Sequence, residues 1–437
     1  MKAIRHVTIV TMGCSKNLVD SEQLLRQFEA IGYEVGHDSE IPSGGIVIVN
    51  TCGFIGDAKE ESIETILEYA DARKKGRISK LYVMGCLSER YLSELGKEIP
   101  EVDHFYGKFN WKEVLSDLGE VYRDDLRLER SLTTPSHYAY VKISEGCSRS
   151  CSYCAIPIIT GKHVSRPMED ILDEVRNLVS GGVKEVQLIA QDLSYYGLDT
   201  SKTLKLPELV ERIAQIPGVE WLRLHYTYPY DFPMDLLRVM REQPNVCAYL
   251  DMAQQHISDS MLVKMRRKIN KAETIELLNQ IRQEVPGIHL RTTLMVGHPG
   301  ETDEDFKLLL DFVRTQRFER MGAFIYSEEE GTYAARHYKD NISDAVKRAR
   351  LDELMLLQQD ISAEINATKV GQDFKVIIDR EEPDFFVGRT AFDSPDVDPE
   401  VFITKEKSLI IGSFFTVRIT SAGPYDLFGN VLTSTDA

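Results

Sequence analysis

The sequence has few cysteines, no long apolar run and no excess of positive charge. Seven cysteines occur in 437 residues, and so small and odd a number argues against a disulfide framework. No stretch approaches the roughly 18 apolar residues that a membrane span needs, so no membrane partner is expected. The first residues, MKAIRHVTIVTMGC, lack the charged, apolar, small-residue order of a secretory leader, and the chain reads as cytoplasmic. In that reducing compartment clustered cysteines bind metal or do chemistry. The net charge of −17 weighs against nonspecific nucleic-acid binding, which phosphate contacts dominate, while leaving room for a local basic patch. There is no low-complexity tract and no solenoid-type repeat. What is present is ordinary globular composition, 43% hydrophobic and 28% charged, at a length that suits two or three domains.

Periodicity predicts an α/β chain. Over 1–125 three strand-then-helix units follow one another: HVTIVTMGC, GGIVIVNTC and KLYVMGC each lead into a helical pattern. The second of these helices opens at Asp57, with Glu60 placed as in a capping box. This alternation predicts an N-terminal parallel sheet with covering helices. A polar stretch over 123–136, RDDLRLERSLTTPS, reads as a linker. Over 134–368 six strand candidates (YAYVKIS, KEVQLIA, WLRLHYT, VCAYLDM, HLRTTLMV and MGAFIYS) alternate with helical patterns, which fits a partial (β/α)6 barrel. A long helix follows at about 342–368. From 371 to 437 the short segments KVIID, FFVGRTAF, VFIT and FFTVRIT predict a small β-barrel.

Six of the seven cysteines fall at strand ends. Cys147, Cys151 and Cys154 lie in EGCSRSCSYCAIP, directly after the first barrel strand. Structural zinc wants four ligands at paired spacings, whereas three thiolates suit an iron–sulfur cluster. A four-iron cluster held by three cysteines keeps one iron open for a substrate or cofactor. The alternative is a zinc ion completed by a distant histidine. Cys14, Cys52 and Cys86 each stand just past the carboxyl end of an N-terminal strand, the edge at which open α/β sheets bind ligands. Singly each reads as a small buried hydrophobe; together they suit a shared cluster. Cys247, inside the apolar NVCAYLDM, reads as core.

With Tyr153 ahead of its last cysteine, the 147–154 loop resembles the signature of the radical S-adenosylmethionine enzymes. The resemblance implies a [4Fe–4S] cluster whose open iron chelates S-adenosylmethionine, and one-electron cleavage of the sulfonium to a 5′-deoxyadenosyl radical. Gly181 and Gly182 resemble the glycine pair that presents backbone groups to the methionine moiety, with a helix C-cap as the alternative. Gln191, Arg223 and Gln255, on or after barrel strands, are candidate cofactor contacts beside Tyr153. Asp192, Arg291, His256 and the run Arg266-Arg267-Lys268 are weaker candidates, each equally readable as structural or solvated.

GCSKNLVDSE, NTCGFI and MGCLSERY are similar to the N-terminal domain of the methylthiotransferases, and the last segment resembles a TRAM domain. This resemblance covers essentially the whole chain. It implies a second [4Fe–4S] cluster on Cys14, Cys52 and Cys86 that carries the sulfur, and a second S-adenosylmethionine as methyl donor. No side chain is expected as a catalytic acid or base, because the carbon attacked is too weakly acidic. Two branches compete. One modifies an adenosine of transfer RNA; the other modifies the β-carbon of an aspartate in the small-subunit ribosomal protein S-twelve. AQDLSYYG, QQHISDSMLVKMRR and VGRTAFDSPDVD resemble the second branch, although Thr160 stands where arginine is usual. The last module carries 12 acidic and 6 basic residues, a net charge of −6, which suits a basic protein partner better than RNA. The expected partners are therefore S-twelve or the small ribosomal subunit and an electron donor, with transfer RNA disfavoured and the chain itself a monomer. A non-catalytic electron carrier remains as an alternative of another class, but carrying electrons needs no barrel-sized domain.

Overall fold

The apolar runs of the first strands are continuous because both faces of their sheet are covered. In the structure, a computed structural model that describes residues 5–41 and 43–432, these runs are β1 (His6–Thr11), β3 (Ile46–Thr51) and β4 (Lys80–Gly85). Two short edge strands, β2 (Glu34–His37) and β5 (His104–Phe105), complete an all-parallel sheet of order β2-β1-β3-β4-β5. Neither edge strand is long enough to show a period in the sequence. Ile46 and Ile48 pack with Leu24, Leu25 and Phe28 of α1 (Ser15–Ala30) on one face. Val47 and Val49 pack with Ile66 of α2 (Gly56–Lys74) and Leu87 of α3 (Cys86–Glu98) on the other. Residues 1–4, Pro42 and 433–437, among them the outer ends of the first and last expected domains, lie outside the described residues.

The expected capping box at Asp57 does not form. Helix α2 begins one residue earlier, at Gly56, without a side-chain cap, and Asp57 instead places its charge in the first turn, where the helix dipole favours it. Capping boxes do form at Asn270 with Glu273 and at Thr302 with Asp305.

The six predicted barrel strands are present as β6 (Tyr138–Lys142), β9 (Glu185–Ile189), β10 (Trp221–Thr227), β11 (Val246–Met252), β12 (His289–Val296) and β13 (Arg320–Ile325). A small ribbon of β7 (Ser144–Glu145) and β8 (Val164–Ser165) interrupts them. The six form one open parallel sheet in sequence order. Val141, Leu188, Leu222, Leu250 and Leu290 face outward into a core shared with the helices. The alternate residues face inward and are polar: Tyr140, Glu185, Gln187, Arg223, His225, Tyr249 and Asp251.

The stretch read as a linker is a strap. Arg130 is fully buried between Glu22 of α1, at 3.4 Å, and Glu174 of the helix Met168–Ser180, at 3.3 Å. The Thr133 N–H and hydroxyl both donate to Glu22, at 2.9 and 3.1 Å. Polar composition here reflects an ion pair that ties two domains together.

The last segment is a closed barrel of β14 (Asp373–Glu381), β15 (Phe385–Thr390), β16 (Val401–Thr404), β17 (Phe414–Ala422) and β18 (Leu427–Val431). Its 391–400 connection enters the concave side of the open sheet. Asp393 pairs with Arg320, Asp396 accepts from the Tyr140 hydroxyl at 2.8 Å, and Asp398 accepts from the Tyr249 hydroxyl at 2.7 Å and meets Arg291 at 3.2 Å. Asp379 pairs with Arg389 and His137, both at 2.7 Å. Asp379, Asp393 and Asp398 are thus spent inside the molecule and Asp396 is held at its surface by Tyr140, so the module's charge of −6 overstates what a basic partner would meet.

His289 sits at this junction, its ring stacked on Phe392 at 4.0 Å. Burial, with Lys369 and Arg320 nearby, pushes its pKa down to about 3. The unfolded chain takes up this proton below about pH 6.5, whereas the fold withholds it until about 3. Stability therefore falls as pH drops from about 6.5 towards 3 and is insensitive to this group above that window. The unfolding midpoint of His289→Phe is expected to fall less between pH 7 and pH 5 than that of the unaltered protein; equal losses would show that His289 is not a source of the acid sensitivity.

Candidate functional site

Strands β1, β3 and β4 are neighbours, so their carboxyl ends lie side by side. Cys14 is the N-cap of α1, Cys52 follows β3, and Cys86 opens α3. The approach is close enough to require glycine. Gly13 has φ +93°, and a Cβ there would lie 2.7 Å from that of Cys52; Gly85 has φ +101°, and a Cβ there would lie 2.5 Å from the Thr51 carbonyl. Asn17 joins the three loops. Its amide donates to the carbonyls of Met12 and Thr51, both at 3.0 Å, and its oxygen faces the Cys86 sulfur at 3.8 Å. Burial raises Cys52 and, to about 12, Cys86, and the neighbouring sulfurs add to both shifts. Burial also opposes ionisation of Cys14, but Lys16, Lys108 and the first amides of α1 outweigh it and lower its pKa.

The second cysteine loop is fastened at both ends. The Cys147 N–H donates to the Gly161 carbonyl at 3.1 Å, and the Ser152 N–H to the Met265 carbonyl at 3.0 Å. Around the sulfurs stand two arginines and a tyrosine. The Arg149 N–H points at the Cys147 sulfur at 3.4 Å, and its side chain donates to Asp192 at 2.7 Å. Arg267 reaches the Cys151 sulfur at 3.5 Å and the Tyr153 hydroxyl at 3.4 Å. Tyr228 lies between the two guanidinium groups, 4.4 Å from Arg149 and 4.0 Å from Arg267, with its hydroxyl 3.5 Å from the Cys151 sulfur. Burial pushes the Cys147 thiol up to about 12 and Cys154 higher still. Such thiols stay protonated at neutral pH unless a metal takes the proton's place.

Both donor sets suit iron. Each consists of three thiols within electrostatic reach of one another. Cluster thiolates bind separate irons, and three of them leave the fourth iron of a four-iron cluster open. Beside the second triad, buried polar atoms lack partners: Gln191 Oε1, one terminal nitrogen of Arg149 and Arg267 Nε. Further along the same barrel edge, Gln254 Nε2 and the Tyr326 hydroxyl are also unpaired. An amino-acid-bearing cofactor bound here would supply polar groups of the kind these atoms lack.

The two triads are brought together by domain docking. Asp20 of α1 receives Lys108 at 3.1 Å and Lys142, from the end of β6, at 2.5 Å. Lys142 also pairs with Glu145, just ahead of the second cysteine loop. Across the edge, Glu329, which follows β13, is clasped by Lys59 at 2.8 Å and Arg90 at 2.7 Å. Arg90 also donates to the Gly53 carbonyl, beside Cys52, at 3.3 Å. The carboxyl edge of the N-terminal sheet thus faces the carboxyl edge of the barrel.

Of the expected cofactor contacts, Tyr153 and Gln191 stand at this edge. Gln255 follows β11 there with φ +69°, its backbone bonded to Thr293 and Met295. Gly181 and Gly182 do not. They close the helix Met168–Ser180 ahead of β9, at the opposite end of the barrel, with the Gly182 N–H bonded to the Val179 carbonyl and φ +106°. Arg223 is also displaced from the expected role: it is fully buried, paired with Glu185 at 2.9 Å, and donates to the Ala391 carbonyl at 2.7 Å. Arg291 serves the same junction. His256 is structural, since its Nδ1 accepts from the Ser258 N–H and its Nε2 donates to Glu301, both at 3.0 Å. The run 266–268 divides: Arg267 turns inward to Cys151, while Arg266 lies over Tyr333 at 4.5 Å. The Thr160 hydroxyl bonds back to the Ile156 carbonyl at 3.0 Å and closes a single helical turn. Arg149, Tyr228, Asp20, Lys108 and Lys142 escaped notice in the sequence, where only the position of Arg149 between two cysteines carried a signal.

Family comparisons agree with this geometry. The family described as the Radical SAM superfamily matches residues 141–313, Uncharacterized protein family UPF0004 matches 6–107, and the TRAM domain matches 370–432. The ribosomal protein uS12 methylthiotransferase RimO of Phocaeicola vulgatus is 66% identical over 427 residues, 98% of this chain and 99% of its own. The chain belongs to the RimO family. The protein of that name from Flavobacterium johnsoniae is 51% identical over 97% of both chains. Among solved structures, the radical S-adenosylmethionine methyltransferase TsrM from Kitasatospora setae, with cobalamin and a [4Fe–4S] cluster bound, aligns with a TM-score of 0.54 at 14% identity, covering 74% of this chain and 72% of that one. That likeness is one of fold. As a family member the chain is a radical SAM enzyme, and an iron–sulfur cluster and S-adenosylmethionine are its cofactors. No helix among the described residues is long and apolar enough to cross a membrane.

The docking network yields a direct test. Asp20→Asn leaves Lys108 and Lys142 sharing Glu145 alone, and breaking a buried pair this way costs about 3–5 kcal/mol. Chemical denaturation should show that loss, and hydrogen exchange should quicken in α1 and β6. A change below about 0.5 kcal/mol, the size of an ordinary surface substitution, would mean that the domains are held by other contacts.

Proposed function

We propose that the chain transfers a methylthio group to the β-carbon of an aspartate in ribosomal protein uS12, using two [4Fe–4S] clusters. The observation that supports this reading is the pair of thiol triads on two sheet edges docked face to face. Cys147, Cys151 and Cys154 would hold the cluster that works with S-adenosylmethionine, and Cys14, Cys52 and Cys86 the cluster that delivers sulfur. When bound, these groups supply one-electron chemistry able to break an unactivated C–H bond, together with the sulfur and methyl that replace the hydrogen.

The chain's own residues bind, orient and exclude water. Arg149 and Arg267 place positive charge beside the sulfurs of the second triad and are themselves fixed by Tyr228 and Asp192. Gln191, Tyr153 and Gln255 line the edge on which the cofactor would lie. Asp20, Lys108, Lys142 and Glu329 hold the two edges in register, so that a bound side chain meets both. The functional units are 1–125, 134–368 and 371–437. A separate protein supplies electrons, and the enzyme works in the cytoplasm as a monomer.

Anaerobic reconstitution tests the reading. With S-adenosylmethionine, reductant, sulfide and uS12 present, mass spectrometry should find a methylthio group on one aspartate of uS12 and none on transfer RNA. The reconstituted protein should hold about eight irons, and Cys14→Ala and Cys147→Ala should each hold about four and form no product. Product on transfer RNA alone would overturn the substrate, and unchanged iron in either variant would overturn the cluster assignment.

A further inference from the structure

Lys16 stands in the cleft with no carboxylate against its charge among the described residues. It stands two positions after Cys14 at the start of α1 and is only 8% exposed. Its ammonium lies 3.4 Å from the ring centroid of Tyr226 and meets no carboxylate or carbonyl oxygen among the described residues. Its field nevertheless reaches Cys14 on one side and His225 and Asp251 of the barrel on the other, so it lies between the first triad and the carboxyl ends of β10 and β11. Asp251 is already engaged, with Arg291 at 3.5 Å and the Tyr226 N–H at 3.3 Å.

The platform beneath the ammonium is held in an unusual shape. Tyr226 has φ +64°, a conformation that costs a non-glycine residue energy and that clusters at ligand sites. The ring is 37% exposed, so space remains open beside it. The ring face offers the ammonium no hydrogen-bond acceptor, so an anion entering the cleft beside Tyr226 would meet an unpaired positive charge.

We propose that Lys16, seated on the Tyr226 ring, binds the carboxylate of the target aspartate and so selects an acidic side chain over its amide. The inference rests on the functional reading above and adds to it a specificity-determining residue. Pinning the carboxylate fixes the adjacent β-carbon in the space between the two triads. The bland alternative is that Lys16 only staples the N-terminal domain to the barrel, in which case its loss would weaken docking without changing substrate choice.

The test uses the reconstituted full chain and two forms of uS12, one natural and one with the target aspartate replaced by asparagine. Fluorescence anisotropy should show the natural form binding roughly 10- to 100-fold more tightly, as expected for hydrogen bonds to a charged group. Lys16→Met should erase that preference, Lys16→Arg should keep part of it, and Tyr226→Leu, which leaves the Cys14 loop intact if Lys16→Met fails to fold, should reduce it severalfold. In turnover the loss should appear chiefly in KM. If natural uS12 is never methylthiolated, the functional reading fails and takes this inference with it. If natural uS12 is modified but both forms bind alike, or Lys16→Met and Tyr226→Leu keep the full preference, the assignment of Lys16 alone is overturned.

Discussion

The arrangement depends on charges that are buried between domains. Asp20 with Lys108 and Lys142, and Glu329 with Lys59 and Arg90, lock one sheet edge onto another. Such pairs add little net stability over an apolar interface, because desolvating the ions offsets their attraction. What they add is register, since a mispaired ion inside the interface would be strongly disfavoured while a slipped apolar contact would not. Two cysteine triads that must serve one substrate need that kind of fixed relation more than they need extra stability.

The small C-terminal barrel meets the same constraint from below. An open six-stranded sheet leaves its concave face uncovered, and in this chain that face carries Glu185, Arg223, Tyr140, Tyr249 and Arg291. The 391–400 connection supplies matching acids and carbonyls, and Arg389 reaches across to Glu185 at 2.8 Å. The module's acidity is therefore partly a property of the barrel it closes. A net charge counted along the sequence could not reveal this, because the count does not distinguish a solvated aspartate from one buried against arginine.

Much of the fold was legible because strands buried on one or both faces leave strong apolar patterns. All six barrel strands and the three strands that precede Cys14, Cys52 and Cys86 carry such patterns, and the cysteines were placed by their offset from those strands. The edge strands β2 and β5 and the last strand β18 are too short or too mixed to do so. Strand-borne arginines were harder. Arg223 and Arg291 alternate with apolar neighbours in the sequence, and nothing in that alternation says whether the opposite face meets solvent, a cofactor or another domain. The glycine pair at 181–182 was ambiguous for a different reason: a helix cap and a ligand-presenting turn ask for the same backbone freedom, and only position along the barrel axis separates them.

Buried polar atoms without partners occur at both ends of the barrel, but those of the carboxyl edge include three that stand beside the second cysteine triad. At the base, Glu185, Arg223, Arg389 and Asp379 form a continuous chain of buried ion pairs. At the carboxyl edge, Gln191, Arg149, Arg267, Gln254 and Tyr326 each keep a buried atom without a partner, within one rim that also carries the second cysteine triad. Buried polar atoms are rarely left unpaired, because each forfeits the hydrogen bonds it had in water. At the base His137 Nδ1, Arg282 Nε, His289 Nε2 and Gln358 Oε1 are likewise unpaired, so it is nearness to the cysteine sulfurs, not the number of unpaired atoms, that marks the working end. Gln191, Arg149 and Arg267, beside those sulfurs, are the groups placed to meet a bound molecule that carries complementary donors and acceptors.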